Sequence, residues 1–145
     1  MFKNILIPTD GSDLAATAVD HGLAFAKEIG AKVTAVTVTE PFAVFALAPS
    51  QLEYTREEYE KRATDYAERV LTALSNSARL AGVPCETVHV QRAHVYEAII
   101  DTANANGCDL ILMASHGRRG AAAVVLGSET VKVLTHSKIP VLVYR

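Results

Sequence analysis

Short apolar runs alternate along the chain with longer segments of helical spacing. The runs cover residues 4–7, 32–38, 109–114 and 139–144, and a further strand is predicted over residues 84–91 around Val88 and Val90. Each has the length expected of a strand in a parallel sheet. Between the runs, apolar residues recur every three or four positions, as they do along one face of a helix. The pattern predicts the element order βαβαβαβαβ.

Glycines mark the ends of three predicted helices. Gly30, Gly82 and Gly107 each follow a helical segment and precede a strand, where a left-handed C-terminal residue is common. The longest helix is predicted from about Gln51 to Ala81. One face of it is predicted to carry Tyr59, Ala63, Tyr66, Val70 and Leu74.

Alternating strands and helices of these lengths favour a parallel sheet with helices on both faces, because crossover connections are right-handed. A chain of 145 residues fits a single domain, residues 1–145.

Ligands of such sheets bind beyond the carboxyl ends of the strands where the strand order reverses. If the first and fourth strands are neighbours there, Pro8–Ser12 and Ala114–Ser128 face each other across one crevice.

The composition narrows the classes of function. A formal net charge of −2 gives no general attraction to nucleic acid or to an anionic membrane. No apolar run is long enough to span a bilayer, and the N-terminus lacks a signal-peptide pattern, so a cytoplasmic protein is expected. Cys85 and Cys108 are expected to be small buried residues, and the five histidines show no metal-binding spacing.

The segment from Ile111 to Thr130 carries the strongest functional pattern. It begins as an apolar strand, turns through small and polar residues, and reaches Gly127-Ser128 directly before a helical pattern. The N–H groups at a helix start are unpaired and electropositive, so they attract anions. This predicts an anion site, with a plain loop capped by the Ser128 hydroxyl as the alternative.

These residues resemble the universal stress protein family over essentially the whole chain. The family's nucleotide motif, G-x2-G-x9-G-[S/T], is matched in spacing by Ala114 to Gly117 and then by Gly127-Ser128, with Ala114 replacing the first glycine. The opening Ile7–Ser12 and the closing Ile139–Val143 are also similar to the ends of the family's chains.

The resemblance implies a single doubly wound α/β domain with a five-stranded parallel sheet in the order 3-2-1-4-5. It also implies a homodimer through the last strand, Ile139–Tyr144. The family has an ATP-binding branch and a branch that lacks the glycine motif; since Gly117, Gly127 and Ser128 are kept, the resemblance favours the first branch and an ATP site in which Mg²⁺ accompanies the nucleotide. Asp10 is placed on the ribose, since a carboxylate accepts from hydroxyls but repels phosphate. The residues expected at the nucleotide are Pro8, Thr9, Asp10, Val38, Met113, Ala114, Ser115, His116, Gly117, Arg118, Gly127, Ser128, Glu129 and Thr130.

Three departures from the family pattern bear on the site. Ala114 adds a β-carbon where the motif has glycine, which makes a positive φ or a close approach less free. Glu129 places a carboxylate in the first helical turn, where it favours the helix but competes with phosphate. Ala93-His94-Val95 stands where glycine and proline are common.

Three functions follow as hypotheses. The first is a nucleotide-responsive binding module that acts in stress response through loop or dimer contacts. The second is a slow ATP hydrolase in which Ser115, His116 or Asp10 orients water, although the chain has neither a Gly-Lys-[Ser/Thr] loop nor a G-x-S-x-G elbow and no catalytic residue is predicted. The third is a nucleotide-free dimeric scaffold, for which Ala114 is the clue.

The Pro41–Pro49 segment is interpreted as a lid or contact loop, or as ordinary loop packing.

Overall fold

The computed structural model describes residues 1–47, 55–117 and 126–145. The strands are β1 (Asn4–Pro8), β2 (Lys32–Thr39), β3 (Cys85–Gln91), β4 (Leu110–Ala114) and β5 (Val141–Tyr144). The described helices are α1 (Asp13–Ile29), α2 (Phe42–Phe45), α3 (Arg56–Ala81), α4 (Val95–Ala105) and α5 (Ser128–His136). None of these helices combines the length and apolar character needed to cross a membrane.

The strands form one parallel sheet in the order β3-β2-β1-β4-β5, which confirms the predicted architecture. Ile5 of β1 lies opposite Val33 of β2 on one side and Leu110 of β4 on the other. The strand order therefore reverses between β1 and β4, and the loops that follow these two strands meet at the same edge. β5 begins later than predicted, since Pro140 has no N–H to donate to a ladder.

Alternate strand residues face opposite layers of helices. Ile5 and Ile7 pack with α1 and α3 in one buried cluster. Leu6 and Ile111 pack with α4 and α5 in the other. The helices thus cover both faces of the sheet as expected, and Cys108 is buried while Cys85 is half-buried.

The start of α3 differs from the prediction, while its most deeply buried residues overlap the predicted face at Leu74. Thr55 is extended, and its hydroxyl accepts from the Glu58 N–H while the Glu58 carboxylate accepts from the Thr55 N–H. This capping box starts the helix at Arg56 rather than near Gln51; residues 51–54 lie outside the described part. The buried face carries Ala67, Leu71, Leu74 and Ala78.

A polar network closes the amino-terminal end of the sheet. The Asn4 side chain is 3 % exposed; it donates to the Asn106 carbonyl at 3.0 Å and accepts from the Thr34 hydroxyl at 3.1 Å. The Asp109 carboxylate accepts from the backbone N–H groups of Lys3 and Asn4, at 2.9 and 3.1 Å. These bonds tie β1 to the start of β4 at the end opposite the crevice.

Candidate functional site

A cavity of about 630 Å³ opens at the carboxyl ends of β1, β2 and β4. Of the residues expected there, Ser115 does not line it, and Arg118 lies outside the described residues. The others lie on its wall: Pro8, Thr9, Asp10, Val38, Met113, Ala114, His116, Gly117, Gly127, Ser128, Glu129 and Thr130.

The turn after β1 is held by its own polar groups. The Thr9 hydroxyl accepts from the Gly11 N–H at 3.3 Å, and one Asp10 carboxylate oxygen accepts from the Ser12 N–H at 3.0 Å. Gly11 has a φ of +78°, a backbone conformation that side chains disfavour. Ser12 then caps α1 by accepting from the Ala15 N–H.

Gly117 brings the loop after β4 against this turn. A β-carbon at Gly117 would overlap the second carboxylate oxygen of Asp10. A side chain at this position would therefore force the Asp10 carboxylate or the loop to shift. The two loops that flank the strand reversal thus meet at Asp10, as the parallel sheet predicts.

The first turn of α5 forms another part of the cavity wall. Gly127 is the N-cap residue and no side chain caps the helix, so the cap suggested for Ser128 is wrong and Ser128 is instead the first helical residue. Gly127 donates its N–H to the Ser115 carbonyl at 2.7 Å. The initial N–H groups of a helix have no partner four residues earlier, and here they belong to Ser128, Glu129 and Thr130.

Thr130 fastens α5 to the end of β4. Its hydroxyl is 3.2 Å from the Ala114 carbonyl and 3.0 Å from the Ser115 carbonyl, and the residue is 2 % exposed. Because this hydroxyl is engaged by the protein, the backbone N–H is the group that Thr130 offers to an anion.

Ser115 lies beside the site. Its N–H donates to the Tyr144 carbonyl at 2.7 Å, and its hydroxyl lies 3.2 Å from His116 Nδ1. Ser115 is 2 % exposed and does not line the cavity, whereas His116 does. The serine–histidine pair therefore does not present a nucleophile to a ligand in the cavity.

Ala114 occupies an ordinary strand position at the end of β4. The positive φ angles of the described residues all belong to glycines, so Ala114 does not need the conformation that glycine alone adopts freely. Its side chain packs in the core cluster that contains Ile7 and Leu112. The alanine is thus accommodated without backbone strain.

Glu129 faces a neighbouring helix as well as the cavity. One of its carboxylate oxygens accepts from the Tyr96 N–H at 2.9 Å, and the other lies 3.4 Å from Lys132 Nζ. Among the described lining residues, the carboxylates of Asp10, Glu40 and Glu129 face a single arginine, Arg62. The described wall is therefore acidic.

Sequence reasoning missed the contribution of α2 and α3 to the cavity. Phe45 and Tyr59 stack on its wall with ring centroids 4.1 Å apart, and the Tyr59 hydroxyl donates to the Glu40 carbonyl at 2.5 Å. Ala63 and Tyr66 continue this lining face. Their periodicity was visible in the sequence, but it shows only that residues share a face and not whether that face meets the core or a cavity. Within the Pro41–Pro49 segment, the described part forms α2 and ends at residue 47.

These observations define a doubly wound α/β domain with a ligand-sized crevice at its strand reversal. The model of the universal stress protein family matches residues 1–145. The chain belongs to the universal stress protein family.

Individual relatives match over nearly their whole length. A universal stress protein of Thermus aquaticus is 35% identical over 146 residues, covering 100% of both chains. The solved structure of the Methanocaldococcus jannaschii protein MJ0577 is 28% identical with a TM-score of 0.82, covering 99% of this chain and 95% of that one. A universal stress protein solved in complex with cAMP has the same fold, with 23% identity, a TM-score of 0.73, and coverage of 99% and 97%.

Proposed function

We propose that the cavity binds an adenine nucleotide and that ATP, with Mg²⁺ on its phosphates, is the nucleotide it takes. The observation that carries this proposal is the meeting of Asp10 with Gly117 in the same cavity as the open first turn of α5. A hydroxyl acceptor and an anion site then line the same cavity. The cAMP complex of a relative supports an adenine nucleotide as the ligand class.

The cavity wall carries the three kinds of group that a nucleotide needs. Val38 and Met113 supply an apolar surface for the base. Asp10 supplies acceptors for the ribose hydroxyls. Ser128 and the first N–H groups of α5 supply donors for phosphate. The volume of about 630 Å³ lies within the range of roughly 300–1,000 Å³ that is usual for small-molecule sites.

The carboxylates on the described part of the cavity wall are the reason for including Mg²⁺ in the proposal. A triphosphate entering beside Asp10, Glu40 and Glu129 meets charge of its own sign, which Mg²⁺ on the phosphates reduces. The described residues contain no group of three metal-ligating side chains. The ion is therefore proposed to arrive with the nucleotide rather than in a protein cage.

The binding event is proposed to act through loop and dimer contacts. The loop that joins β4 to α5 ends at the phosphate-binding turn, so a bound nucleotide would bias its position. β5 lies at the sheet edge, its own Leu142 is 40% exposed, and Val131 and Leu134 of α5 are 45% and 42% exposed. Pairing of this strand with a second copy would cover both the edge and these side chains, which sedimentation at several protein concentrations would test.

Calorimetric titration tests the nucleotide proposal. The protein, freed of copurified nucleotide, is titrated with ATP and Mg²⁺, with AMP and with adenosine, beside a Gly127→Val variant. A β-carbon at Gly127 would lie 3.0 Å from the His116 β-carbon and 3.1 Å from its α-carbon, so valine distorts the phosphate turn.

We expect micromolar binding of ATP that weakens in the order ATP, AMP, adenosine and that is lost in the variant. The matched control is Gly107→Ala, which changes a glycine with open space around it, remote from the cavity. Absence of heat with all three ligands would instead support the nucleotide-free scaffold.

A further inference from the structure

We infer that Tyr66 of α3 is a positioning residue that holds Asp10 in place for the ribose. The Tyr66 hydroxyl donates a hydrogen bond to the backbone carbonyl of Asp10. This inference rests on the proposed nucleotide site, and it adds a residue on α3 that acts on the ligand through Asp10.

The turn that carries Asp10 sits directly on α3. A β-carbon at Gly11 would lie 2.8 Å from the Tyr66 hydroxyl oxygen and 2.9 Å from a Val70 methyl carbon. The positive φ of Gly11 turns the chain at this contact. The Tyr66 hydroxyl therefore sets the distance between the turn and α3, and so fixes where the Asp10 backbone lies.

Fixing the backbone also confines the carboxylate. One oxygen is held by the Ser12 N–H, and the other abuts Gly117. With the carbonyl of the same residue held by Tyr66, Asp10 is restrained at three points. Such restraint lowers the entropy that a ribose contact would otherwise cost.

Tyr66 also lies between two cavities. Its side chain lines the large cavity and a second cavity of about 330 Å³ between α1 and α3. The Arg69 guanidinium lies 5.8 Å from the Tyr66 ring centroid. Loss of the hydroxyl would leave the ring in place as a wall but would remove the hydrogen bond that holds the Asp10 carbonyl.

Tyr66→Phe tests this role because it keeps the ring and removes only the hydroxyl. The readout is the ratio of the dissociation constants for 2′,3′-dideoxy-ATP and ATP, measured with Mg²⁺. Hydrogen bonds from hydroxyls to a carboxylate are expected to make this ratio roughly tenfold in the unaltered protein. In Tyr66→Phe we expect ATP to bind more weakly while dideoxy-ATP binds as before, so that the ratio falls to roughly threefold or less.

Two further variants serve as a positive and a negative control for the ratio. Asp10→Asn is expected to lower the ratio directly. Tyr96→Phe removes another tyrosine hydroxyl, which contacts Glu97 at 3.2 Å and lies away from the cavity wall, and it is expected to leave the ratio unchanged.

The inference is overturned if Tyr66→Phe leaves the ratio at the value of the unaltered protein, whether both affinities stay or fall together. That result leaves the nucleotide site itself standing, provided that the unaltered protein binds ATP. If the unaltered protein binds neither nucleotide, the proposed function and this inference both fail.

Discussion

Glu129, in the first turn of α5, accepts a hydrogen bond from the backbone N–H of Tyr96 in the first turn of α4, with the two atoms 2.9 Å apart. His94 is the N-cap residue of α4 and makes no side-chain cap. The Glu129 carboxylate therefore accepts from one of the unpaired N–H groups at the start of α4, and its negative charge offsets the positive end of the helix dipole there. The bond couples the start of α4, which follows Ala93 and His94, to the turn that we propose for phosphate.

Replacement of Glu129 by glutamine separates this structural role from its charge. The amide oxygen of glutamine still accepts from the Tyr96 N–H, while the negative charge beside the phosphate turn is removed. We expect ATP to bind about two- to fivefold more tightly, since a like charge at a few ångströms costs roughly 0.5 to 1 kcal/mol in a solvated site. Adenosine, which has no phosphate, is expected to bind with unchanged affinity in the same calorimetric titration.

Glu57→Gln is the matched control for Glu129→Gln. Glu57 is also a first-turn glutamate, on α3, but it does not line the cavity. Tighter ATP binding in this control, or equal gains for ATP and adenosine in Glu129→Gln, would contradict a local charge effect.

Gly117→Ala tests the contact between the two loops of the site. The added β-carbon would overlap the Asp10 carboxylate, so either Asp10 or the loop after β4 has to move. We expect ATP affinity to fall by roughly tenfold or more, because misplaced polar groups lose charged hydrogen bonds worth about 1.5 to 3 kcal/mol. A fluorescent ATP analogue provides the measurement by competition.

The control for the loop contact is a glycine at which an added β-carbon meets no neighbouring atom. Gly107 has a φ of +65° and open space around it, so Gly107→Ala should lower stability by about 1 kcal/mol through backbone strain alone. Its ATP affinity should stay unchanged. Equal weakening of ATP binding in both variants would show that stability, and not the Asp10 contact, sets the affinity.

The fold could be predicted from the sequence because its signals are local. The apolar runs at residues 4–7 and 109–114 are short, buried and bounded by turn residues, so they predict strands without ambiguity. Gly30 and Gly82 have the left-handed backbone expected of residues that end helices. The strand order itself came from the family resemblance, because local patterns do not show which strands are neighbours.

The site could be predicted only where it lies on the ends of strands. Asp10 and Gly127 follow β1 and β4, and parallel topology brings such residues together. Helical spacing predicts that Tyr66 shares a face of α3 with Leu74, but it does not show what that face meets. The Glu129–Tyr96 bond joins residues 33 positions apart, and no local pattern indicates it.

Thr130→Val tests the attachment of α5 to β4. Valine keeps the shape of threonine and removes the hydroxyl that lies between the carbonyls of Ala114 and Ser115. Burial of carbonyls without their partner is expected to lower the free energy of unfolding by about 1 to 3 kcal/mol. Urea denaturation measures this difference.

Thr135→Val controls for the general effect of valine on α5. The Thr135 hydroxyl is exposed and donates to the Val131 carbonyl within the helix at 2.8 Å. Its loss is expected to change the free energy of unfolding by no more than about 0.5 kcal/mol. A loss in Thr130→Val as small as in this control would show that the two carbonyls find other partners.

Asp109 should make the stability of the domain depend on pH. Burial raises the pKa of its carboxyl, but the hydrogen bonds from the backbone N–H groups of Asn4, Lys3 and Asp109 itself together outweigh burial and lower the pKa below its ordinary value. The folded state therefore favours the ionised form, and the resulting stability is fully present above the unfolded pKa of about 3.9. It is lost as the pH falls through the lowered pKa of the folded state.

Asp109→Asn removes this dependence. At pH 7 we expect the free energy of unfolding to fall by about 1 to 2 kcal/mol, because a charged acceptor is replaced by a neutral one. Urea denaturation at pH 7, 5 and 3 should show a difference from the unaltered protein that is constant down to about pH 5 and then shrinks as Asp109 becomes protonated. Asp65→Asn, on the exposed side of α3, should show little difference at any pH. A difference for Asp109→Asn that persists undiminished at the lowest pH would mean that the charge of Asp109 does not stabilise the amino-terminal end of the sheet.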